Sequence, residues 1–428
     1  MKLLRWADLD EAGRRAALAR PEARTRAEVV EGVRAILDDV AAEGWPAVVR
    51  HALRLDGGAP ALVRVAPAAA EARRKLPREA MAAMALAHAN LQAVHEAQRP
   101  RSVRTQPVSG LTVETAWRPL AKVGLYVPGG AAPLFSTLLH LAVPARVAGV
   151  ADLVICTPPR LDGELDPAIA LAAELCGVDA VWTLGGAQAI AAMALGAGPI
   201  TPVAKICGPG NAWVAEAKRQ AAARAHGPAL DMPAGPSELM VIADAESDPA
   251  TVAADLLGQA EHDAHAQVLL VTPSEALATA VIEEVQAQAR TLPRDVQLAA
   301  SVEAARALVV RGLDDAVAIA EAYAPEHLQL SVADPEALLP ALSNAGAVFA
   351  GRAVAETFGD YLTGSSHVLP TDGAARAWSG VSVHTFLRAM SVQRLTPAAA
   401  ASLAAPAAAL ARLEGLEAHA RAAERRGA

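Results

Sequence analysis

The sequence predicts an α/β protein built of two successive Rossmann-like parallel-sheet domains, with an N-terminal helical segment before them and a C-terminal helical tail after them. Three observations carry this. From Arg118 onward, short apolar runs stop at glycine turns and give way to helical stretches, the grammar of a mostly parallel sheet covered by helices. That grammar appears in two sets, the second beginning at Leu239. Both flanks of the chain have helical rather than strand periodicity.

Residues 1 to about 100 read as helical, with helices at 25–44 and 78–98 and a break at Gly57-Gly58. Trp45, His51, His88 and His95 lie here and are expected to be packing or surface residues. The first α/β set has strands at 123–127, 153–156, 180–184 and 204–207. They run into Pro128-Gly129-Gly130, Pro158-Pro159, Gly185-Gly186 and Gly208-Pro209-Gly210-Asn211, with helices at 167–176, from 187, and at 212–225. The second set has a strand at 239–243, a helix beginning near Ser247-Asp248-Pro249, a strand at 268–272, a helix at 275–290 and a strand near 347–350. The tail from Leu395 is alanine-rich helix. The expected divisions are 1–117 helical, 118–235 and 236–380 α/β, and 381–428 tail.

Composition narrows the function classes. The 428 residues suffice for two to four domains with buried cores. The longest apolar stretch, 187–204, is cut by Gly196, Gly198, Pro199 and Pro202, so no membrane span is expected. The N-terminus turns polar too early for a signal peptide, which places the protein in the cytoplasm. A net charge of -8 argues against a nucleic-acid partner. Cys156, Cys176 and Cys207 are far apart in apolar surroundings and read as reduced core residues.

The stretch DLLGQAEHDAH at 255–265 carries the sharpest chemistry. The segment Ser247-Asp248-Pro249 supplies a capping oxygen and an early helical proline. On the helix that follows, Asp255, Gln259 and His262 share one face. A core helix would put apolar residues there, so the stripe needs water or a ligand. Gln259 and His262 together offer two corners of a coordination sphere for zinc or another first-row divalent ion, although such a pair is more often a solvated helix face. The glycine turns sit where phosphates approach helix N-termini, giving a nucleotide or other anion site without a G-x-G-x-x-G. Glu326-His327 offers two adjacent bases of distinct pKa on a loop. Gly359-Asp360-Tyr361, Ser366-His367 and Glu414 to His419 are further polar clusters.

Taken together, AGPSE at 234–238, DLLGQAEHD at 255–263, PEHL at 325–328, GDY at 359–361, HVLPT at 367–371 and EGLEAH at 414–419 resemble the histidinol dehydrogenase family. YVPGG, GGAQAIAA, GPGNAWVAEAKRQ and LDMPAGPSE fit it in the same order, so the resemblance covers 123–419 well and the N-terminal helices weakly. It implies an intertwined homodimer with shared active sites, one Zn2+ per subunit, and two NAD molecules used in succession. L-histidinol would be oxidised through the aldehyde to L-histidine, the last steps of histidine biosynthesis.

Position by position, the resemblance makes Gln259, His262, Asp360 and His419 the zinc ligands and Glu326 and His327 the acid/base pair. Ser237, His367 and Glu414 match substrate-pocket positions, with the zinc ligands and His327 also facing substrate. Tyr126, Gln188 and Asn211 match positions that contact NAD. In the chemistry this implies, His327 takes the alcohol proton, Glu326 activates the water that hydrates the aldehyde, and His327 serves again. The sequence departs from the family pattern at 195–200, at Ser365-Ser366 and at Ala131, which implies altered detail around the nucleotide and substrate. A relative acting on another polar alcohol would keep the zinc set and differ in the pocket. A structural zinc module would be thiolate-rich with local ligand spacing, unlike this set.

Overall fold

The computed structural model describes residues 1–20, 27–129, 133–233, 235–293 and 295–427. Thr25 in the first expected helix, Gly130 and Ala131 in the first glycine turn, and Ala234 of AGPSE lie outside the described residues.

The N-terminal region is not helical throughout. It opens with strand β1 (Lys2–Arg5), continues through helices α1 (Glu11–Leu18), α2 (Ala27–Glu43) and α3 (Trp45–Leu55), makes strand β2 (Ala61–Arg64), and ends in α4 (Val65–Lys75) and α5 (Arg78–Ala97). Both strands are four residues long, and each completes the edge of a different sheet. A run that short takes its conformation from the sheet edge it meets. Strands β3 (Val103–Thr105) and β4 (Leu111–Pro119) follow.

The first sheet is made by β5 (Lys122–Tyr126), α6 (Phe135–Ala148), β6 (Asp152–Thr157), α7 (Pro167–Leu175), β7 (Ala180–Thr183), α8 (Gly186–Leu195), β8 (Lys205–Cys207), α9 (Ala212–Ala222) and β9 (Ala229–Leu230). Its strand order is β2-β7-β6-β5-β8-β9, parallel except for β2. Val123 and Leu125 turn to a core with α4, α5, α6 and α7, while Tyr126, Cys156 and Ile206 turn to one with α2, α3, α8 and α9. That two-sided burial is why the strands read as unbroken apolar runs.

The second sheet repeats the plan with β10 (Glu238–Ala243), α10 (Pro249–Ala260), β11 (Gln267–Thr272), α11 (Glu275–Ala289), α12 (Asp295–Ala304), β12 (Arg306–Val309), α13 (Leu313–Tyr323), β13 (His327–Ser331), β14 (Ala347–Ala350) and α14 (Glu356–Tyr361). The order is β1-β12-β11-β10-β13-β14, all parallel. Helices α10, α11 and α12 cover one face and α1 and α13 the other. In each sheet the chain moves outward over three strands, then returns to the starting strand's other side. The reversals fall between β5 and β8 and between β10 and β13, where such sheets open a crevice.

Strand β15 (Leu387–Leu395) pairs antiparallel with β4, which also pairs with β3, a third sheet absent from the sequence-based expectation. The tail forms the helical hairpin α15 (Pro397–Leu413) and α16 (Glu417–Gly427). All three cysteines are buried and free. Among the described residues no helix is long and apolar enough to cross a membrane.

Candidate active site

Helix α10 and strand β13 meet through polar stripes. Asp248, rather than Ser247, caps α10, its carboxylate accepting from Thr251 N (3.1 Å), with Pro249 at the first helical position. Ser247 instead donates to the Ser331 carbonyl (2.5 Å). Two turns further on, Gln329 Nε2 donates to Asp255 Oδ2 (2.5 Å). Part of the helix stripe is therefore satisfied by alternate residues of β13, which point to one face of the sheet. Gln259 and His262 lie at the end of that stripe. His262 falls past the last helical residue, but its N–H reaches Gln259 O (3.2 Å) and continues the turn. Its Nε2 lies 3.9 Å from Asp360 Oδ2.

Glu326 and His327 sit at the amino end of β13, where His327 is in register with Leu239 of β10. Both are buried. The main chain of Glu238 holds the two of them: Glu238 N donates to Glu326 Oε2 (2.8 Å), and His327 Nδ1 lies 2.9 Å from Glu238 O. A carbonyl only accepts, so Nδ1 carries the hydrogen and Nε2 keeps its lone pair. That Nε2 is buried with no hydrogen-bond partner among the described residues. Burial holds His327 down at about 3, so the imidazole is neutral at pH 7. Burial also raises the Glu326 carboxyl well above the usual range, with the charges of Glu238 and Asp360 adding to it.

Around this pair lie groups able to hold a cation. Oxygen or nitrogen atoms of His327, Glu356 and Asp360 come within 4.8 Å of one another. Glu356, buried and not foreseen from the sequence, has its carboxyl raised by burial and by Asp360, Glu326 and Asp255. Asp360 is pushed up to about 7 by burial. With its amide oriented to satisfy both groups, Gln259 donates to Glu356 Oε2 (3.2 Å), which turns its carbonyl oxygen away from Glu356. Several carboxyls short of positive charge, an amide oxygen and the His262 imidazole close to Asp360 fit a divalent metal of the zinc type. The only advance sign of Glu356 is its i, i+4 spacing to Asp360.

His367 borders the same region. Its Nδ1 is 3.0 Å from Asp360 O, its Nε2 is 3.3 Å from Thr137 Oγ1, and its ring stacks on His140 with centroids 4.0 Å apart. Burial holds His367 down at about 4. Ser237, half-buried, immediately precedes Glu238. Thr137 and His140 come from α6 of the first sheet's unit, so the site draws on both units. Gly359 packs on Phe349 where a side chain has no room, and Phe349 stacks against His327 at 6.0 Å.

Tyr126, Gln188 and Asn211 line one cavity of about 770 Å³, together with Pro128, Gly129 and Gly210. It opens at the carboxyl ends of β5 and β8, the first sheet's switch point. Tyr126 OH accepts from Gly186 N (3.1 Å), and Asn211 caps α9 by accepting from Trp213 N (3.1 Å). Asp56, also in the cavity wall and missed from the sequence, accepts from Gly185 N (2.9 Å) and Gln188 Nε2 (3.0 Å). Its carboxyl comes from the end of α3, outside any Rossmann spacing. Behind the Gly208 turn, Lys218 Nζ bridges Gly208 O (2.8 Å) and Asp231 Oδ1 (2.5 Å). The segment 195–200 closes on itself through an Ala197–Ile200 bridge.

Glu414 and His419 belong to the tail hairpin and are exposed. The structure thus gathers Ser237, Gln259, His262, Glu326, His327, Asp360 and His367 into one region and Tyr126, Gln188 and Asn211 into another.

The model of the family described as histidinol dehydrogenase matches residues 18–427. Histidinol dehydrogenase of Xanthomonas euvesicatoria pv. vesicatoria is 46% identical over 423 residues, covering 99% of this chain and 98% of its own. That of Yersinia pestis is 43% identical over 418 residues, covering 97% and 94%. The crystal structure of histidinol dehydrogenase from Elizabethkingia anophelis superposes with a TM-score of 0.94 at 34% identity, covering 100% of this chain and 98% of that one.

Proposed function

Because the chain belongs to the histidinol dehydrogenase family of NAD-dependent oxidoreductases, we propose that it oxidises L-histidinol through the aldehyde to L-histidine in the cytoplasm, at sites shared between two copies of the chain. The observation that supports this most is the state of His327: Nδ1–H fixed by Glu238 O, Nε2 buried without a partner among the described residues, and Glu326 beside it.

Zinc, held by Gln259, His262, Asp360 and His419 of the partner subunit, would supply a charge that orients the substrate's amine and imidazole, and NAD, against Tyr126, Gln188 and Asn211, would accept hydride in each step. Neutral His327 takes the hydroxyl proton through Nε2 as the alcohol becomes the aldehyde. Glu326, its carboxyl raised by burial, is when ionised a stronger base than a free carboxylate and takes a proton from the water that adds to the aldehyde. His327, having passed its first proton to solvent, takes the hydroxyl proton of the hydrate as the second hydride leaves, and the carboxylate product forms. Ser237, His367 and the partner subunit's Glu414 complete the substrate pocket. Exposure of Glu414 and His419 on the tail hairpin supports their serving a second copy.

The test is product stoichiometry on zinc-reconstituted protein. Two NADH per L-histidinol are expected, with histidine as the sole product; one NADH, or none, overturns the reading.

A further inference from the structure

Glu238 is almost fully buried, and its carboxylate gathers three donors from distant segments. Arg20 reaches it from the N-terminal arm with Nε at 2.5 Å from Oε1 and a terminal nitrogen at 2.9 Å from Oε2. Glu326 N lies 3.3 Å from Oε2, and Asp372 N lies 2.9 Å from Oε1. The same Arg20 nitrogen donates to the carbonyls of Tyr323 (2.9 Å) and Ala324 (3.4 Å), and the guanidinium lies 3.8 Å over the Tyr323 ring. Ala324 has φ +54, a left-handed conformation that a residue with a Cβ adopts only when its surroundings enforce it. It is the turn that leads into Pro325, Glu326 and His327.

Building on the reading of Glu326 and His327 as the acid/base pair, we propose that Arg20 and Glu238 are positioning residues for that pair. The Glu238 main chain sets the direction of both functional groups, through its N–H to the Glu326 carboxyl and its C=O to His327 Nδ1. The Glu238 side chain fixes the Glu326 main chain in return. Arg20 offsets the Glu238 charge with a two-pronged contact whose geometry lysine lacks and pins the strained turn behind it. Without Arg20, a buried carboxylate is left uncompensated beside Glu326, and the Ala324 turn loses its clamp. The arm that delivers Arg20 is itself tied to the second sheet by β1 and by Arg306, which donates to Ala17 O and Ala19 O (both 2.9 Å).

The test uses the zinc-loaded full-length enzyme. Arg20→Met should lower kcat about tenfold to a hundredfold, the scale of a misplaced catalytic group, while KM for L-histidinol and NAD and the zinc content stay at wild-type values. Arg20→Lys should recover part of the loss. Glu238→Gln should resemble Arg20→Met, and the double variant should be no slower than the slower single one, since the two residues act as a unit. A variant with wild-type kcat and only a lowered Tm overturns the proposal, as does additivity in the double variant or loss of zinc alongside kcat. Should Arg20→Met fail to fold, the kcat of Arg20→Lys decides alone. Turnover that survives Glu326→Gln and His327→Gln defeats the acid/base reading and this proposal with it; turnover lost in those two but kept in Arg20→Met defeats this proposal alone.

Discussion

Gln259 spends its amide nitrogen on the buried carboxyl of Glu356, so only its carbonyl oxygen is left for anything else. Outer partners of this kind set which atom a ligand presents, and losing one typically costs about 10- to 100-fold in metal affinity. Glu356→Leu, which preserves bulk but removes the acceptor, is expected to weaken zinc binding by that amount, measured by competition with a chelator. Wild-type affinity would show that Glu356 does not orient Gln259.

His327 lies within reach of Glu356 and Asp360 but is assigned here as a base rather than a ligand. His327→Gln should therefore retain its zinc and lose about 10²- to 10⁴-fold in kcat, the usual value of general-base help. Elemental analysis separates the roles, because a metal ligand at this position would take the zinc away with the activity.

The proposed roles of Glu326 and His327 divide the labour unequally. Only aldehyde oxidation needs an activated water, so Glu326→Gln should slow the oxidation of supplied histidinaldehyde more than that of histidinol. Single-turnover NADH formation with each substrate is the measurement. Equal losses would mean that Glu326 serves both steps alike.

Zinc binding at the proposed site should displace protons. Burial pushes Asp360 up to about 7 and raises the Glu326 and Glu356 carboxyls above their ordinary range, so near neutral pH Asp360 still holds its proton about half the time in the metal-free protein, and the other two carboxyls bind theirs more tightly than free carboxyls do. The folded state binds those protons more tightly than the unfolded chain. Their stabilising contribution is thus complete below the ordinary carboxylate range and lost as pH rises through the raised values. Zinc needs the ionised Asp360, so its affinity should rise with pH below 7 by about tenfold per unit for each proton displaced. Calorimetry in buffers of different ionisation enthalpy should find net proton release. A pH-independent affinity would remove Asp360 from the ligand set.

Shared sites predict complementation. His262→Asn and His419→Asn should each be inactive, yet joint refolding should restore about one quarter of wild-type activity. Half the dimers are mixed, and in a mixed dimer one site carries both lesions and the other neither. No recovery from demonstrated heterodimers would confine each site to one chain.

Much of this was legible in the residues themselves. The strand, glycine turn and helix alternation follows from local periodicity, and the polar stripe of Asp255, Gln259 and His262 announces itself because α10 would otherwise be apolar on that face. The Glu326-His327 pair, contiguous in sequence, is equally visible. What the sequence could not decide was which distant groups complete each arrangement. Short strands such as Lys2–Arg5 and Ala61–Arg64 carry too little pattern to choose a sheet, and the edge they meet makes the choice. Arg20 and Glu238, Gln259 and Glu356, and Asp56 and Gln188 are bonded across long stretches of chain, and their value comes from burial, which no local pattern encodes. Tertiary structure also decided where on each sheet the candidate residues sit. The cavity holding Tyr126 and Asn211 opens at the carboxyl ends of β5 and β8, whereas Glu238, Glu326 and His327 lie at the amino ends of β10 and β13. There the polar groups are held by neighbouring main chain and buried, and burial shifts the proton affinities of Glu326 and His327.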